Sequence, residues 1–123
     1  MRDLRRASLI ALAVTALVVT AGAAEAHTAR NCSTHGLSFS YQQGSASFGN
    51  KVEGLTAGGV SCTTARHVAT VVAKALLHDG RVPTRIDGLR VRVTNPCTGC
   101  APVSQVRATA AGKSVDFDVY GGA

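Results

Sequence analysis

The fold is decided by the sequence VSCTTARHVATVVAKALLH, which occupies residues 60–78. Its apolar residues recur every three or four positions, the spacing that gives a helix one buried face. Ser61 or Thr63 can cap the first turn, because a side-chain hydroxyl accepts a hydrogen bond from a free backbone N–H two or three residues on. Gly80 suits the left-handed residue that follows a helix. We therefore predict one amphipathic helix that ends at His78 and buries Ala65, Val68, Ala69, Val72, Ala75 and Leu76.

After this helix the apolar period changes to two residues, the period of a strand with one buried face. Leu89–Thr94, with the sequence LRVRVT, alternates in this way. The last apolar residues predict a hairpin whose two-residue turn is Gly112-Lys113, and a slip of one residue would mix its two faces. The predicted cross-strand pairs are Ala110 with Val115, Ala108 with Phe117, Val106 with Val119, and Arg107 with Asp118.

The part of the chain before the helix predicts shorter elements. Leu37–Tyr41 alternates like a strand, Gln42–Asn50 is rich in Gly and Ser and predicts a loop, and Lys51–Thr56 predicts a second short strand. The whole predicts an α+β fold, one amphipathic helix packed on a small antiparallel sheet and held by disulfides. We assign residues 37–121 to this single domain and residues 27–36 to a flexible N-terminal segment.

The first 26 residues have the three parts of a secretory signal. Arg2, Arg5 and Arg6 form a positively charged start, and an uncharged run rich in Leu, Val and Ala follows. The pattern Ala24-Glu25-Ala26 is typical of a signal-peptidase site. We therefore expect a signal peptide over residues 1–26, a secreted protein, and no transmembrane span after cleavage.

Composition limits the possible functions. A chain of 123 residues holds one domain, which excludes a large multi-domain enzyme. It carries a net charge of +6 and has no Trp. After cleavage, ten Lys and Arg residues remain against five Asp and Glu residues, a net charge of about +5. So short a domain has a small core, and disulfides would add to its stability.

The four cysteines, Cys32, Cys62, Cys97 and Cys100, predict a disulfide framework in an exported chain. Sequence alone allows three pairings. We expect Cys97 and Cys100 each to bond a distant partner, either Cys32 or Cys62, because a bridge over a long span adds more stability than one over two residues.

Three other uses of the Cys97–Cys100 region remain open as alternatives. The sequence Cys97-Thr98-Gly99-Cys100 could be a thiol–disulfide centre, but no helix is predicted after it to lower a thiol pKa. It could also contribute to a metal site, although the other two cysteines are isolated. Finally, the loop Asn95–Val103 could act as the rigid contact of a secreted enzyme inhibitor.

The histidines offer only weak candidates for chemistry. Cleavage after Ala26 would place the imidazole of His27 beside a free amine, a pair that binds copper, with His35 as the nearest second ligand. A frayed polar end is the more ordinary interpretation of this segment. Ser61, His67 and Asp116 could be written as a hydrolytic triad, but no serine lies in a nucleophile-elbow sequence. We therefore predict no catalytic residue, no cofactor and no metal centre.

The basic residues predict one cationic patch. Arg90 and Arg92 share a strand face, and Arg107 on the predicted hairpin can lie beside them. Nucleic-acid binding would need basic residues interleaved with aromatic ones, and the sequence has no such pattern. An exported basic domain is more naturally attracted to anionic polymers of the cell envelope, with a protein partner as the other possibility.

The segment Ala57–Ala69, with the sequence AGGVSCTTARHVA, resembles an element of small secreted actinobacterial proteins of unknown function. Those proteins share a signal peptide, an early cysteine that Cys32 matches, and a helix start of the form Gly-Val-Ser-Cys-x-x-Ala-Arg. They also share a C-terminal hairpin, which Gly112–Phe117 resembles, but they often carry a cysteine where this chain has Ala108. The resemblance implies export and a small α+β domain, and it supplies no catalytic residues. We therefore expect a non-enzymatic binding or cell-envelope interaction module.

Overall fold

The computed structural model describes residues 28–78, 80–95 and 103–122. This part of the chain contains a single helix, which follows three strands and precedes four more. The α+β class predicted from the sequence, with a helix packed on an antiparallel sheet, is confirmed. The elements are β1 Arg30–Asn31, β2 Ser38–Gln43, β3 Ala46–Gly58, α1 Cys62–His78, β4 Arg85–Ile86, β5 Leu89–Thr94, β6 Val103–Ala110 and β7 Lys113–Gly122.

The strands form one antiparallel sheet in the order β1-β3-β7-β6-β5-β4, and β2 also pairs with β3. β3 is 13 residues long, so one of its edges holds two partners, β2 along Ala46–Lys51 and β1 along Thr56–Ala57. The other edge pairs with β7. A β-bulge between Glu53 and Thr56 changes which alternate side chains of β3 face the core. As a result, side chains on both sides of the bulge reach the core.

Helix α1 begins and ends as its sequence predicts. The Thr64 backbone N–H donates to Ser61 Oγ at 3.1 Å, which makes Ser61 the N-cap. At the other end, Gly80 has φ 72° and its N–H donates to the Ala75 carbonyl at 2.8 Å, the hydrogen bond of a left-handed helix end. The helix packs against β2, β3 and β7.

The core lies between α1 and one face of the sheet. The helix buries five small or β-branched residues, which differ from the predicted set in that Ala73 is buried while Ala75 and Leu76 are only partly buried. The sheet contributes the alternate residues of β3, β5, β6 and β7. Those with the least exposed side chains are Leu55, Ala57, Leu89, Ala108 and Val115.

The disulfide found among the described residues joins Cys32 to Cys62. The expectation that Cys97 and Cys100 each bond one of these cysteines is therefore wrong. The sheet explains the pairing, because β1 lies on the edge of β3 and brings Cys32 next to the start of α1, with the two Cα atoms 5.5 Å apart. Cys97 and Cys100 themselves lie outside the described residues.

The register of the β6–β7 hairpin differs from the predicted one by two residues. Its turn is Ala111-Gly112, and Gly112 has φ 70°. A tight turn whose only left-handed residue is the second one is of type II, so Gly112 takes the second position rather than the first. The observed pairs are Ala110 with Lys113, Ala108 with Val115, Val106 with Phe117, and Arg107 with Asp116. A slip by two keeps each side chain on its face, so the predicted core residues stay buried.

Two further tight turns change the predicted elements. The predicted loop Gln42–Asn50 is instead the β2–β3 hairpin, which turns at Gly44 with φ 64°. The predicted short strand Lys51–Thr56 is the middle of β3. A turn at Asp87-Gly88, where both residues have positive φ, pairs β4 with β5. This is the Asp-Gly turn that favours two-residue hairpins, and β4 adds a strand to those predicted from the sequence.

Within the segment 27–36, residues 30–32 differ from the predicted flexibility. Arg30–Asn31 forms β1, and Cys32 is buried and bonded, so these residues are held to the sheet rather than flexible. The predicted signal peptide, residues 1–26, lies outside the described residues. Within the described ranges, the one helix is not long and apolar enough to cross a membrane.

Candidate functional site

The face of the sheet that α1 does not cover is polar. Because side chains alternate along each strand, the residues between the core positions of β4–β7 all lie on this face. At the β4–β5–β6 end it carries arginines, and toward β7 and β3 it carries Asp116, Asp118 and Glu53. The uncovered face is therefore basic at one end and acidic at its centre.

Four arginines form the basic end, and we call them the arginine cluster: Arg85, Arg90, Arg92 and Arg107. They make two cross-strand pairs, Arg85 with Arg90 and Arg92 with Arg107. Directly opposed residues on antiparallel strands have Cβ atoms about 5 Å apart. The structure therefore brings together the three arginines that the sequence predicts and adds Arg85.

Only one member of the arginine cluster has an acidic partner among the described residues. Arg107 Nε lies 3.7 Å from Asp116 Oδ1, and both side chains are largely exposed. The predicted partner of Arg107, Asp118, pairs with Gln105 instead. Like charges placed directly opposite each other destabilise a sheet. The cluster thus concentrates positive charge that the described part of the chain does not neutralise.

Of the weak metal-ligand candidates His27 and His35, only His35 lies in the described part of the chain. His35 is exposed, its N–H donates to Ser33 Oγ, and its carbonyl accepts from Arg66 Nη2 at 2.8 Å. His27, Cys97 and Cys100 lie outside the described residues. Within the ranges that are described, no three His, Cys, Asp or Glu side chains lie close enough together to hold a metal ion.

The triad that could be written from the sequence is not formed. His67 Nδ1 lies 2.7 Å from Asp87 Oδ2, so its carboxylate partner is in the β4–β5 turn. Asp116 lies on the uncovered face, across the sheet from α1, and Ser61 caps the helix. Ser61, His67 and Asp116 therefore do not share a site.

The pair of His67 and Asp87 is a contact that sequence reasoning missed. Asp87 has φ 52°, which the Asp-Gly turn imposes, and the turn holds its carboxylate against α1. The Asp87-Gly88 dipeptide is the signal that could have placed this turn. The pair links the helix to the β4–β5 hairpin. Among the described residues, no hydroxyl or thiol hydrogen-bonds to this imidazole.

The uncovered face, with the arginine cluster at one end, is the feature of this fold best suited to binding. Comparisons of the chain with protein-family models, with curated proteins and with solved structures give no match.

Proposed function

We propose that this protein is an exported, non-enzymatic binding module whose arginine cluster binds anionic polymers of the cell envelope. The observation that carries the proposal is the arrangement of two directly opposed arginine pairs, for which the described part of the chain provides one acidic partner. A bound polyanion supplies negative charge that Arg85, Arg90 and Arg92 do not find among the described residues. Binding would therefore relieve a repulsion that the free protein carries.

The chemistry of arginine favours phosphate or carboxylate groups as ligands. Each guanidinium is planar, always charged and able to donate two parallel hydrogen bonds to one oxyanion. Neighbouring residues on one strand face are about 6.7 Å apart, so Arg90 and Arg92 can engage successive charges of an extended polymer. No aromatic residue of β4, β5 or β6 lies on this face. The strands that carry the arginine cluster therefore offer no aromatic ring for bases to stack on, and the aromatic residue of this face, Tyr120, lies on β7; this argues against a nucleic-acid ligand.

Export is supported by two features of the chain. The signal-like sequence over residues 1–26 directs secretion, and the Cys32–Cys62 disulfide is of the kind that persists in oxidising compartments. The resemblance to small secreted actinobacterial proteins implies the same location. An envelope polymer is then a ligand that the protein would meet.

A second candidate, thiol–disulfide activity at Cys97 and Cys100, is favoured by one observation. Because Cys32 and Cys62 bond each other, neither is available to the other two cysteines. Alkylation and mass spectrometry at graded redox potential separate the candidates. A pair of thiols at Cys97 and Cys100 that is readily reduced and reoxidised supports activity, and thiols or a bridge that do not exchange oppose it.

The proposed function is tested by titrating the disulfide-bonded protein with poly(glycerol phosphate) in a calorimeter at several salt concentrations. We expect binding that weakens as salt rises, because bound cations replace condensed counterions. Arg92→Gln should lower the affinity about fivefold, the contribution of one cation near an anionic surface. It should also reduce the slope of log affinity against log salt by about one.

The matched control is Lys113→Gln, which removes one exposed positive charge at the tip of the β6–β7 hairpin. Its effect should be clearly smaller than that of Arg92→Gln. Affinity that does not depend on salt, or equal losses in the two variants, would contradict the proposal.

A further inference from the structure

Strand β2, Ser38–Gln43, forms an outer edge of the sheet. Its one strand partner in the described structure is β3, with which it pairs over its whole length without a register shift. The strands that carry the arginine cluster, β4, β5 and β6, lie at the opposite end of the sheet, beyond β3 and β7. The β2 edge is therefore remote from the arginine cluster.

Alternate residues of β2 direct their backbone groups away from β3. The Val52 N–H donates to the Leu37 carbonyl at 2.9 Å, so the backbone of Leu37 faces β3. Successive residues of an antiparallel strand turn their N–H and C=O groups to opposite edges, so those of Ser38, Ser40 and Gln42 point outward. Within the described residues, these outward groups have no hydrogen-bond partner. Such a row of free donors and acceptors is a template for a further strand.

The β2 edge lacks the features by which sheet edges usually avoid pairing. Those features are charged side chains, Pro and bulges. The sequence of β2, SFSYQQ, has no charged residue and no Pro, and its pairing with β3 contains no bulge. Strand β5, toward the other end of the sheet, carries Arg90 and Arg92. The contrast between the two ends indicates that the β2 edge is open to a further strand.

The two faces of β2 differ in polarity. Phe39 and Tyr41 lie on the helix side, where Tyr41 contacts the rings of Phe48 and His78 at centroid distances of 6.1 and 4.7 Å. The side chains on the uncovered face are polar and exposed, and they belong to Ser38, Ser40 and Gln42. A strand that fits this edge therefore needs aromatic or apolar side chains on one face and uncharged polar ones on the other.

We propose that this edge pairs with β2 of a second copy of the chain, in an antiparallel dimer whose two-fold axis passes at Ser40. This register sets Ser40 opposite Ser40 of the second copy, and Ser38 opposite Gln42. All the outward backbone groups of both strands are then paired, by about six hydrogen bonds. On the helix side, the same register sets Phe39 opposite Tyr41 of the second copy. Each side chain thus meets one of its own polarity, which is why a second copy fits this edge.

Charge does not oppose this dimer. No charged residue of β2 would face its counterpart, and the two lysines that flank the strand are engaged within their own chain. Lys51 Nζ lies 3.0 Å from Glu53 Oε1, and Lys74 Nζ lies over the Phe39 ring, 5.5 Å from its centroid. One short strand from each copy makes a small interface, so we expect a weak dimer. Because each copy uses its β2 edge on the other, the assembly closes at two chains.

The test is sedimentation velocity of the disulfide-bonded protein at concentrations from about 10 μM to 1 mM, the upper end being enough to populate even a millimolar dimer. We expect a reversible equilibrium between monomer and dimer. Ser40→Lys should weaken dimerisation at least about tenfold, because the two added charges would face each other across the two-fold axis.

The matched control is Ser47→Lys, which adds the same charge to the same face of the sheet but on β3, one strand in from the edge. Its two copies in the dimer would be at least three strand spacings apart, about 14 Å. Exposed charges at that separation are largely screened by salt, so dimerisation should change less than about twofold.

The register is tested by an isotope-filtered NOE spectrum of a mixture of labelled and unlabelled protein. We expect contacts between Phe39 of one copy and Tyr41 of the other, because opposed residues that share no hydrogen bond have Cα atoms about 4.5 Å apart. The wild-type protein is used, so this measurement does not depend on the folding of a variant.

The proposal is overturned if the protein stays monomeric at about 1 mM, and amide shifts in β2 on addition of a different extended peptide would then assign the edge to another partner. It is also overturned if assembly continues past the dimer, or if the NOE contacts are absent from the dimer. Equal dimerisation of Ser40→Lys and Ser47→Lys, with both at the wild-type melting temperature, would overturn it as well. None of these outcomes bears on polyanion binding at the arginine cluster.

Discussion

At the scale of single residues, Ser61 shows what one hydroxyl contributes to this fold. Its Oγ accepts the Thr64 N–H at 3.1 Å and donates to Thr64 Oγ1 at 3.2 Å. Thr63, the other cap that the sequence allows, is exposed and makes no such bond in the described structure. Comparing a Ser61 variant with a Thr63 variant therefore separates the loss of the helix cap from the loss of a hydroxyl group alone.

We predict that Ser61→Ala lowers the free energy of unfolding by about 1 kcal/mol, because it leaves a helix N–H without its acceptor. Thr63→Ala should change it by less than about 0.5 kcal/mol, as for other exposed positions. Urea unfolding monitored by circular dichroism measures both. Equal losses in the two variants would show that Ser61 is not the cap.

At the scale of elements, the predictions that hold are those that depend on local patterns. Helix α1 could be predicted because its period, cap and end lie within one stretch of sequence. The register of the β6–β7 hairpin could not be predicted in the same way. A two-residue slip keeps alternate residues such as Val106 and Ala108 on the core face, so the register depends only on the position of Gly112 in the turn. Residues 46–50 belong to a stretch, 42–50, that predicts a loop because it is rich in Gly and Ser, yet pairing with β2 and β7 makes them strand.

In the candidate sites, too, local sequence patterns predict some of the residues and miss others. Arg90, Arg92 and Arg107 could be grouped from strand alternation, whereas Arg85 joins them only through the Asp87-Gly88 turn. The junction of the β2–β3 hairpin with β7 could not be predicted, because β7 is distant from both strands in the sequence. A site assembled from three strands depends on strand order, and alternation does not specify that order.

The arginines of β5 have a second role, which is to protect a free edge of the sheet. The Val91 N–H donates to the Thr84 carbonyl at 2.9 Å, and beyond it the outer edge of β5 has no strand beside it in the described structure. Charged side chains on such an edge oppose pairing with other chains. The arginines therefore protect the edge while they present charge to a ligand.

We predict that Arg92→Val causes concentration-dependent self-association beyond that of the unaltered protein, because it adds a β-branched apolar residue to this free edge. Thr109→Val, which makes a similar change on the interior strand β6, should associate no more than the unaltered protein. Sedimentation velocity at several protein concentrations distinguishes them. An Arg92→Val protein that associates no more than the unaltered one would mean that the edge needs no charge for protection.

At the scale of the whole molecule, the Cys32–Cys62 disulfide joins the two layers. It connects the segment after β1 to the first residue of α1, and both cysteines contact the core. Arg66 reinforces the same junction, since its guanidinium donates to the carbonyls of Ser33 and His35 at 2.6 and 2.8 Å. The early residues of the domain are thus bound to the helix both covalently and by hydrogen bonds.

We predict that replacing Cys32 and Cys62 together by Ala lowers the free energy of unfolding by about 3–4 kcal/mol. This is the chain-entropy contribution of a bridge that closes a loop of 30 residues. Urea unfolding gives the value, and peptide mapping without reduction should recover the two cysteines in one linked pair. A loss below about 1 kcal/mol would show that the bridge adds little beyond the contacts of Arg66 and β1.

The pairing of β3 with β7 has a consequence for the order in which the molecule can be built. Gly58 pairs with Ser114 and Gly49 with Gly122, so the two central strands come from distant parts of the chain. Such nonlocal pairing is slow, and it cannot begin before the later strand exists. A nascent chain that has not yet been synthesised as far as β7 therefore lacks the centre of its sheet. Its sheet stays incomplete until β7 has been synthesised, and an unfolded chain is the form that a translocation channel can thread.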